Sequence, residues 1–287
     1  MKRKDGIRIK DADPMYQVAA YIMNKRVDAM NMITLDIPLD PMVNYVRDKM
    51  KEGVRLSRLA VVIAAYVRCV AQYPELNRFV VNSKLYARNE IAVGIVVLKS
   101  GMMNGGTMSK IKFQPTDDVF TVQKRIDEYV EQNRTAEPDN GTEKMIKILL
   151  SVPGLVKVGV GIFRFMDKHG MLPKSVIDAS PFHISMVLTD LASIRTNSIY
   201  HHVYEFGTTS ISMAMGITRE IVKSREGQPQ AVKVMPLGMV MDERITDGSY
   251  FAIAFHDFER YMKHPDLLEG PPKIIHPEIR KIFKIEE

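Results

Sequence analysis

Between Ser57 and Gln72 the chain runs Ser-Arg-Leu-Ala-Val-Val-Ile-Ala-Ala-Tyr-Val-Arg-Cys-Val-Ala-Gln. Its length and alanines favour a helix, and that helix is apolar on nearly every face, as one buried in a protein core is. The rest of the chain must then wrap it. The segment ends at Tyr73-Pro74-Glu75-Leu76-Asn77, because proline disfavours helical backbone at the residue before it. The single cysteine, Cys69, sits inside the run, where burial raises a thiol pKa and leaves it inert, so it reads as a small core residue.

Around this helix the pattern mixes strands and helices. A helix is expected over Met15–Ala29 behind Asp13-Pro14, a cap and first-turn pair. A strand follows at Ile33–Leu39 and a helix at Pro41–Lys51. Phe79–Tyr86 and Glu90–Leu98 read as paired strands turned at Arg88-Asn89, and Gly101–Thr107 as a glycine-containing loop. A short strand at Lys110–Phe113 precedes an amphipathic helix at Val119–Gln132, with Val122, Ile126, Tyr129 and Val130 on its apolar side. Pro138-Asp139-Asn140-Gly141 then breaks the chain. Phe182–Leu188, Thr208–Met215 and Ala231–Met241 read as strands, and Ser249–Lys263 as a helix. This order implies an α/β fold, a sheet covered by helices. The expected organisation is a basic tail over 1–14, one domain over 15–268 with a hinge candidate at 136–142, and a C-terminal tail over 269–287.

The chain has 287 residues, 46% hydrophobic and 26% charged, enough to bury a core, and its 20 Met residues suggest a core filled by adaptable side chains. A lone cysteine excludes a disulfide framework and a cysteine-built zinc site, and no histidine pair has metal-ligand spacing, so no metal is expected. A reducing cytoplasm is the expected compartment, since Met-Lys-Arg-Lys-Asp-Gly lacks the apolar run of a signal peptide. The net charge of +6 gathers at the two ends and reads as solvated tails. No reading motif or stacking platform joins it, so no nucleic-acid partner is expected. Ile146–Met166 is the most membrane-like stretch, but Pro153, Lys147, Lys157 and Arg164 interrupt it, so no transmembrane segment is expected. An amphipathic segment either covers a core or lies on a membrane surface, and the first is the commoner outcome.

The densest group of functional residue types is Met241-Asp242-Glu243-Arg244-Ile245-Thr246-Asp247-Gly248, between an apolar strand and a helix. Functional groups gather in such turns, and solvated loops with helix caps look the same. The segment resembles the D-H-R-x-x-D-G signature of 2-oxoacid dehydrogenase acyltransferase catalytic domains, seen as H-x-x-x-D-G in chloramphenicol acetyltransferase. His264-Pro265-Asp266-Leu267-Leu268 resembles their Asn-Pro-Glu-Leu-Leu. Asn24-Lys25-Arg26 resembles their A-K-R, Tyr73-Pro74-Glu75-Leu76-Asn77 their F-P-E-L-N, and Met186–Leu191 their F-T-I-S-N-L. The likeness spans Met15 to Leu268. It extends to stand-alone relatives without lipoyl domains that carry D-E-R-x-x-D-G and a stretch like His201–Ser210.

The resemblance implies a chloramphenicol-acetyltransferase-like two-layer sandwich, a mixed β-sheet covered by helices, assembled as a homotrimer with its site at the subunit interface. It also implies coenzyme A or acyl-coenzyme A as substrate, with no covalent lipoyl group in this chain. In active members a histidine takes the proton from a thiol or hydroxyl, a serine holds the oxyanion, and an aspartate–arginine pair shapes the loop. Glu243 stands at the histidine position, Thr189 at the serine position and Asp247 at the aspartate position, with Arg26 its candidate partner. Glutamate is about 2 pKa units more acidic than histidine, roughly a hundredfold in rate as a base, unless burial raises it. Arg244 and Arg26 would act the other way if they approached it. His201 and His202 are alternative sources of an imidazole, or else partly buried polar residues, and His183 reads as a satisfied core histidine. The implied activity is acyl transfer between coenzyme A and a thiol, hydroxyl or amine. The alternative is a catalytically inactive binding or scaffold protein, motivated by the lost histidine.

Overall fold

The computed structural model describes residues 3–98, 106–135, 151, 154–225 and 227–286. The expected hinge at 136–142 and most of the loop at 101–107 lie outside them. In chain order the elements are β1 Gly6–Arg8, α1 Pro14–Ile22, β2 Met30–Pro38, α2 Leu39–Lys51, α3 Arg58–Gln72, β3 Arg78–Val81, β4 Lys84–Arg88, β5 Ile91–Leu98 and β6 Gly106–Phe113. They continue with α4 Val119–Thr135, α5 Leu155–Lys168, α6 Lys174–Ala179, β7 Met186–Asp190, β8 Ile211–Met215, β9 Arg219–Arg225, β10 Gln228–Asp242, α7 Gly248–Lys263 and α8 Pro277–Phe283.

α3 is the apolar segment, started by Ser57, whose Oγ accepts from the Ala60 amide at 3.1 Å. Every residue from Ala60 to Ala71 is buried. Cys69 lies among them, its Sγ 3.6 Å from the Ala254 carbonyl, and burial pushes its thiol pKa up. α3 packs against α4 and α7 and forms one core with the inner face of a seven-stranded sheet ordered β2-β10-β8-β7-β5-β6, with β9 paired to β10. Alternate residues of the central strands supply that face: Met186 and Leu188, Ile211, Met213 and Met215, and Met235, Leu237, Met239 and Met241. The methionine-rich core inferred from composition is this face. The sheet is mixed, since β7 runs parallel to β5 and β8 while the other pairs are antiparallel.

Among the described residues no helical layer covers the middle of the outer face. The chain between Leu191 and Ser210 crosses it as an irregular strap, pinned by a 2.7 Å hydrogen bond between the Thr34 and Tyr200 hydroxyls. Gly238 lies beneath: a Cβ there would stand 2.3 Å from the Ile199 carbonyl oxygen. Glycine is needed at this position for backbone to lie on backbone.

Several expectations change. The helix expected over Met15–Ala29 ends at Ile22, and Arg26–Ala29 is a short 3-10 turn; turning there carries Arg26 inward, where it is 2% exposed. The strand expected over Phe79–Tyr86 is a hairpin, β3 and β4, folded at Asn82-Ser83 with φ of 52° and 51°, a turn in which asparagine tolerates positive φ. The basic N-terminus is not a solvated tail. β1 pairs with β4, and Arg3 and Asp5 are buried in a salt bridge at 2.8 Å. At the other end α8 packs Ile279 into the core. β7 and β8 each begin three or more residues later than expected, because Phe182–Ser185 and Thr208–Ser210 belong to loops.

Candidate active site

β10 ends at Asp242, and the loop Asp242–Asp247 leads into α7. Asp242 is fully buried and holds two guanidinium groups. Arg244 grips it at two points, Nε to Oδ1 at 2.8 Å and Nη2 to Oδ2 at 2.7 Å, and Arg26 Nε donates to Oδ2 at 3.2 Å. Arg26 also donates its amide to Glu205 at 2.6 Å and its Nη1 to the Tyr204 carbonyl. This one carboxylate therefore ties the loop to the turn after α1 and to the strap. Burial opposes a charged Arg244, but its hydrogen bonds to Asp242 and that carboxylate's charge outweigh it and hold its pKa above the usual value.

The expected pairing of Asp247 with Arg26 is corrected by this geometry. Asp247 caps α7 instead. It accepts from the Tyr250 amide at 2.8 Å, from the Ser249 hydroxyl at 2.6 Å and from Tyr16 Oη at 2.8 Å. Those bonds, the Ser249 hydroxyl first, lower its carboxyl pKa to about 2. The aspartate–arginine pair exists, but its aspartate is the first in the motif.

Glu243 is fixed through its backbone, its amide donating to the Ala29 carbonyl at 2.8 Å. Its half-buried side chain makes no hydrogen bond or ion pair with the described residues. Arg26 and Arg244, the two arginines considered as its neighbours, are committed to Asp242. The loop thus presents a carboxylate held at its base and chemically unengaged.

Thr189 lies elsewhere in the chain. It pairs in register with Ala214, and Ala214 with Gly238, which precedes Glu243 by five residues on an antiparallel strand. At about 3.3 Å per residue and about 4.8 Å per strand, Thr189 stands roughly 17 Å along and roughly 10 Å across the sheet from Glu243. A single chain does not bring the two together. Thr189 is half-buried, and its Oγ1 has no hydrogen-bond partner.

His201 and His202 lie on the strap with rings stacked at 5.3 Å and Tyr204 edge-on to both. Neither hydrogen-bonds to Glu243 or Thr189; His201 Nδ1 instead sits 3.1 Å from the His202 carbonyl. His183 is fully buried, with Nδ1 2.7 Å from Ser180 Oγ and Nε2 3.3 Å from Asp167. Asp167 also accepts from Arg3 at 2.7 Å; burial alone would raise its pKa, and His183 and Arg3 together bring it below the usual value.

A cavity of about 460 Å³ opens beside the Asp242 cluster, between the β3–β4 turn, α5 and the strap. Its wall carries Lys25, Arg26, Arg164, Lys168 and Arg244 against the carboxylates of Asp167 and Glu205. Lys25, Arg164 and Lys168 form no ion pair with the described residues. An anionic group suits such a wall. Asp242 and Glu205, the carboxylates that tie the loop together, were not picked out from the sequence. Asp242 had a signal, an acid ending an apolar strand two residues before an arginine; Glu205 lies within the His201–Ser210 stretch that resembles stand-alone relatives, but nothing there marked it out from its neighbours. Among the described residues no group of His, Cys, Asp and Glu is arranged to hold a metal.

Comparison of the coordinates with solved structures finds a probable dihydrolipoamide acetyltransferase from Listeria monocytogenes, with TM-score 0.56 and 12% identity over 90% of this chain and 94% of that one. A dihydrolipoamide acetyltransferase from Azotobacter vinelandii matches at TM-score 0.58 and 11% identity, covering 88% of each chain. A chloramphenicol acetyltransferase matches at TM-score 0.54 and 13% identity over 90% of this chain and all of that one, a coverage of 100%. The chain has the chloramphenicol-acetyltransferase-type fold. The resemblance read from the motifs is thus met in three dimensions, at identities where fold alone is shared. No family model matches the sequence, and no curated protein does either.

Proposed function

We propose that the protein is an acyltransferase that moves an acyl group between coenzyme A and a thiol, hydroxyl or amine acceptor, working as a homotrimer. The observation that carries this reading is Glu243: an unengaged carboxylate on a rigid loop, at the motif position of the catalytic base, in an acyltransferase-type fold. In the proposed reaction Glu243 takes the proton of the acceptor, and the acceptor's sulfur, oxygen or nitrogen attacks the thioester carbonyl. The resulting oxyanion accepts a hydrogen bond from the Thr189 hydroxyl, whose Oγ1 is otherwise unpartnered. Collapse breaks the carbon–sulfur bond, and the coenzyme A thiolate leaves with the proton from Glu243.

Because Thr189 and Glu243 sit at opposite ends of one sheet, the reading requires that they come from adjacent copies. The outer sheet face, with Met32, Ile194, Ile199 and Tyr200 exposed, offers apolar surface for that contact. The cationic cavity beside the loop suits a phosphate-bearing donor.

The experiment is acyl-coenzyme A turnover by the wild type, by Glu243→Gln and by Thr189→Ala, and by the two variants unfolded together and refolded as mixed trimers. Each variant alone is expected to lose turnover. The mixture is expected to regain about a quarter of it, because one interface in four then joins an intact Glu243 to an intact Thr189. Turnover unchanged in Glu243→Gln removes the base from the mechanism. Coenzyme A binding by an intact assembly with no turnover in any acceptor class favours the scaffold reading.

A further inference from the structure

Of the apolar stretch at 146–166, expected to cover the core, the described helix is α5, and none of its residues belongs to that core. Within α5, the described part, Phe163 stacks on Phe206 at 4.9 Å, and Asp167 is anchored by Arg3 and beside His183. These contacts fix how the helix is turned. Val158, Ile162 and Phe165 consequently point away from the body, exposed by 57%, 56% and 58%. At spacings of four and three residues they form one continuous strip along the helix, and half-buried Leu155 and Met166 border it. Scattered apolar residues on a surface need no explanation, whereas a contiguous strip does.

The polar side of the helix is entirely cationic. Lys157, Arg164 and Lys168 are exposed, and the helix's one carboxylate, Asp167, is turned inward and neutralised. From the combination we propose that α5 rests on an anionic phospholipid surface, with Val158, Ile162 and Phe165 entering the headgroup–acyl boundary and the three cations meeting lipid phosphates. Lysine and arginine stems are long enough to lie along the apolar strip while their heads reach the phosphates. Among the described residues no helix is long and apolar enough to cross a membrane, so α5 lies along the surface. The charge selects lipid over protein as the occupant: three uncompensated cations beside an apolar strip complement a phosphate surface directly, whereas protein interfaces are depleted in lysine. Arg164 and Lys168 also stand on the wall of the cavity proposed for the donor's phosphates, so a bound donor and a lipid surface would compete for these two cations.

The test is co-sedimentation of the full chain with phosphatidylcholine vesicles, with and without phosphatidylglycerol, at low and high salt, alongside Ile162→Glu/Phe165→Glu. Light-scattering mass is measured for both proteins. Both substituted positions are exposed, so the variant keeps its fold, which circular dichroism verifies. The wild type should bind the anionic vesicles, bind less at high salt, and leave neutral vesicles largely free. The variant should partition at least about tenfold less, the loss of two inserted apolar side chains. Equal partitioning of the two proteins, or no binding by the wild type, overturns the proposal. A wild type that ignores vesicles while the variant falls to a smaller assembly overturns it too, and assigns the strip to a contact between copies.

Discussion

Asp242 and Arg244, two residues apart, close a two-point ion pair at 2.8 and 2.7 Å inside the protein, and Arg26 leans on the same carboxylate at 3.2 Å. Removing this carboxylate strands two buried cations. Asp242→Ala is therefore expected to destabilise the fold by about 3–5 kcal/mol, the cost of breaking a buried pair from one side. Urea unfolding measures it. A loss under about 1 kcal/mol would mean that the network can relax around its own absence.

Asp247 lies in the same motif but in water, so its contribution differs in size and kind. Asp247→Ala loses the α7 cap and should cost about 0.5–1 kcal/mol, while Asp247→Asn keeps an accepting oxygen and should cost less. Its folded pKa of about 2 lies below its ordinary value of 3.8. The charged form's share of stability is thus complete above the ordinary value and disappears as the pH falls through the folded one. The stability gap between wild type and Asp247→Asn should close between roughly pH 4 and 2, as thermal melts across that range would reveal.

Gly238 exists to let the strap lie on the sheet. Gly238→Ala would drive a methyl group to 2.3 Å from the Ile199 carbonyl oxygen, and backbone has no rotamer by which to escape. A cost of about 1–3 kcal/mol is expected, along with release of the strap from the Thr34–Tyr200 bond. Hydrogen exchange of residues 195–205 tests this. Unchanged protection would place the strap's anchorage elsewhere.

The Cys69 thiol is buried in α3 and burial pushes its pKa up. A disulfide-exchange reagent at neutral pH should therefore label native protein only as fast as the protein opens, and label it at once in denaturant. Rapid stoichiometric labelling of the native state would contradict the packing of α3 against α7.

What the sequence made legible divides along the range of the interactions. α3, α4 and α7 were readable because local period and burial agree there, whereas composition suggested a methionine-filled core without saying which methionines face inward. The hairpin at Asn82-Ser83 was missed because Phe79–Tyr86 has strand-forming residues on both sides and only φ distinguishes a turn from a continuing strand. The end of α1 at Ile22 was missed because it is set from a distance, by Asp242 and Glu205 drawing Arg26 inward. Glu243 was singled out through its motif, but the motif could not tell which of its two aspartates takes the arginine. That choice depends on burial: Asp242 is still on the strand and inside, whereas Asp247 has emerged to cap a helix. The separation of Thr189 from Glu243 follows from antiparallel register between β8 and β10, which no local pattern encodes.

Glu90 joins β5, β6 and α6 into one electrostatic unit, with Lys110 at 2.6 Å, Lys112 at 3.0 Å and Lys174 at 3.2 Å. Burial alone would raise its pKa, but the lysines more than reverse this, and its carboxyl is held at about 2 against an ordinary 4.5. A depressed folded pKa means that the charged form stabilises the protein fully above the ordinary value and that the stabilisation fades as pH drops through the folded one. Acid unfolding should therefore carry a Glu90-dependent component between roughly pH 4.5 and 2. Glu90→Gln should cost on the order of 2–3 kcal/mol at neutral pH and flatten the stability–pH curve across that interval, because the variant no longer has a proton to take up there. Chemical denaturation of both proteins at successive pH values checks the two effects together. If the curves ran parallel through the acid range, the pair's contribution would have to come from packing of the lysine stems and not from charge.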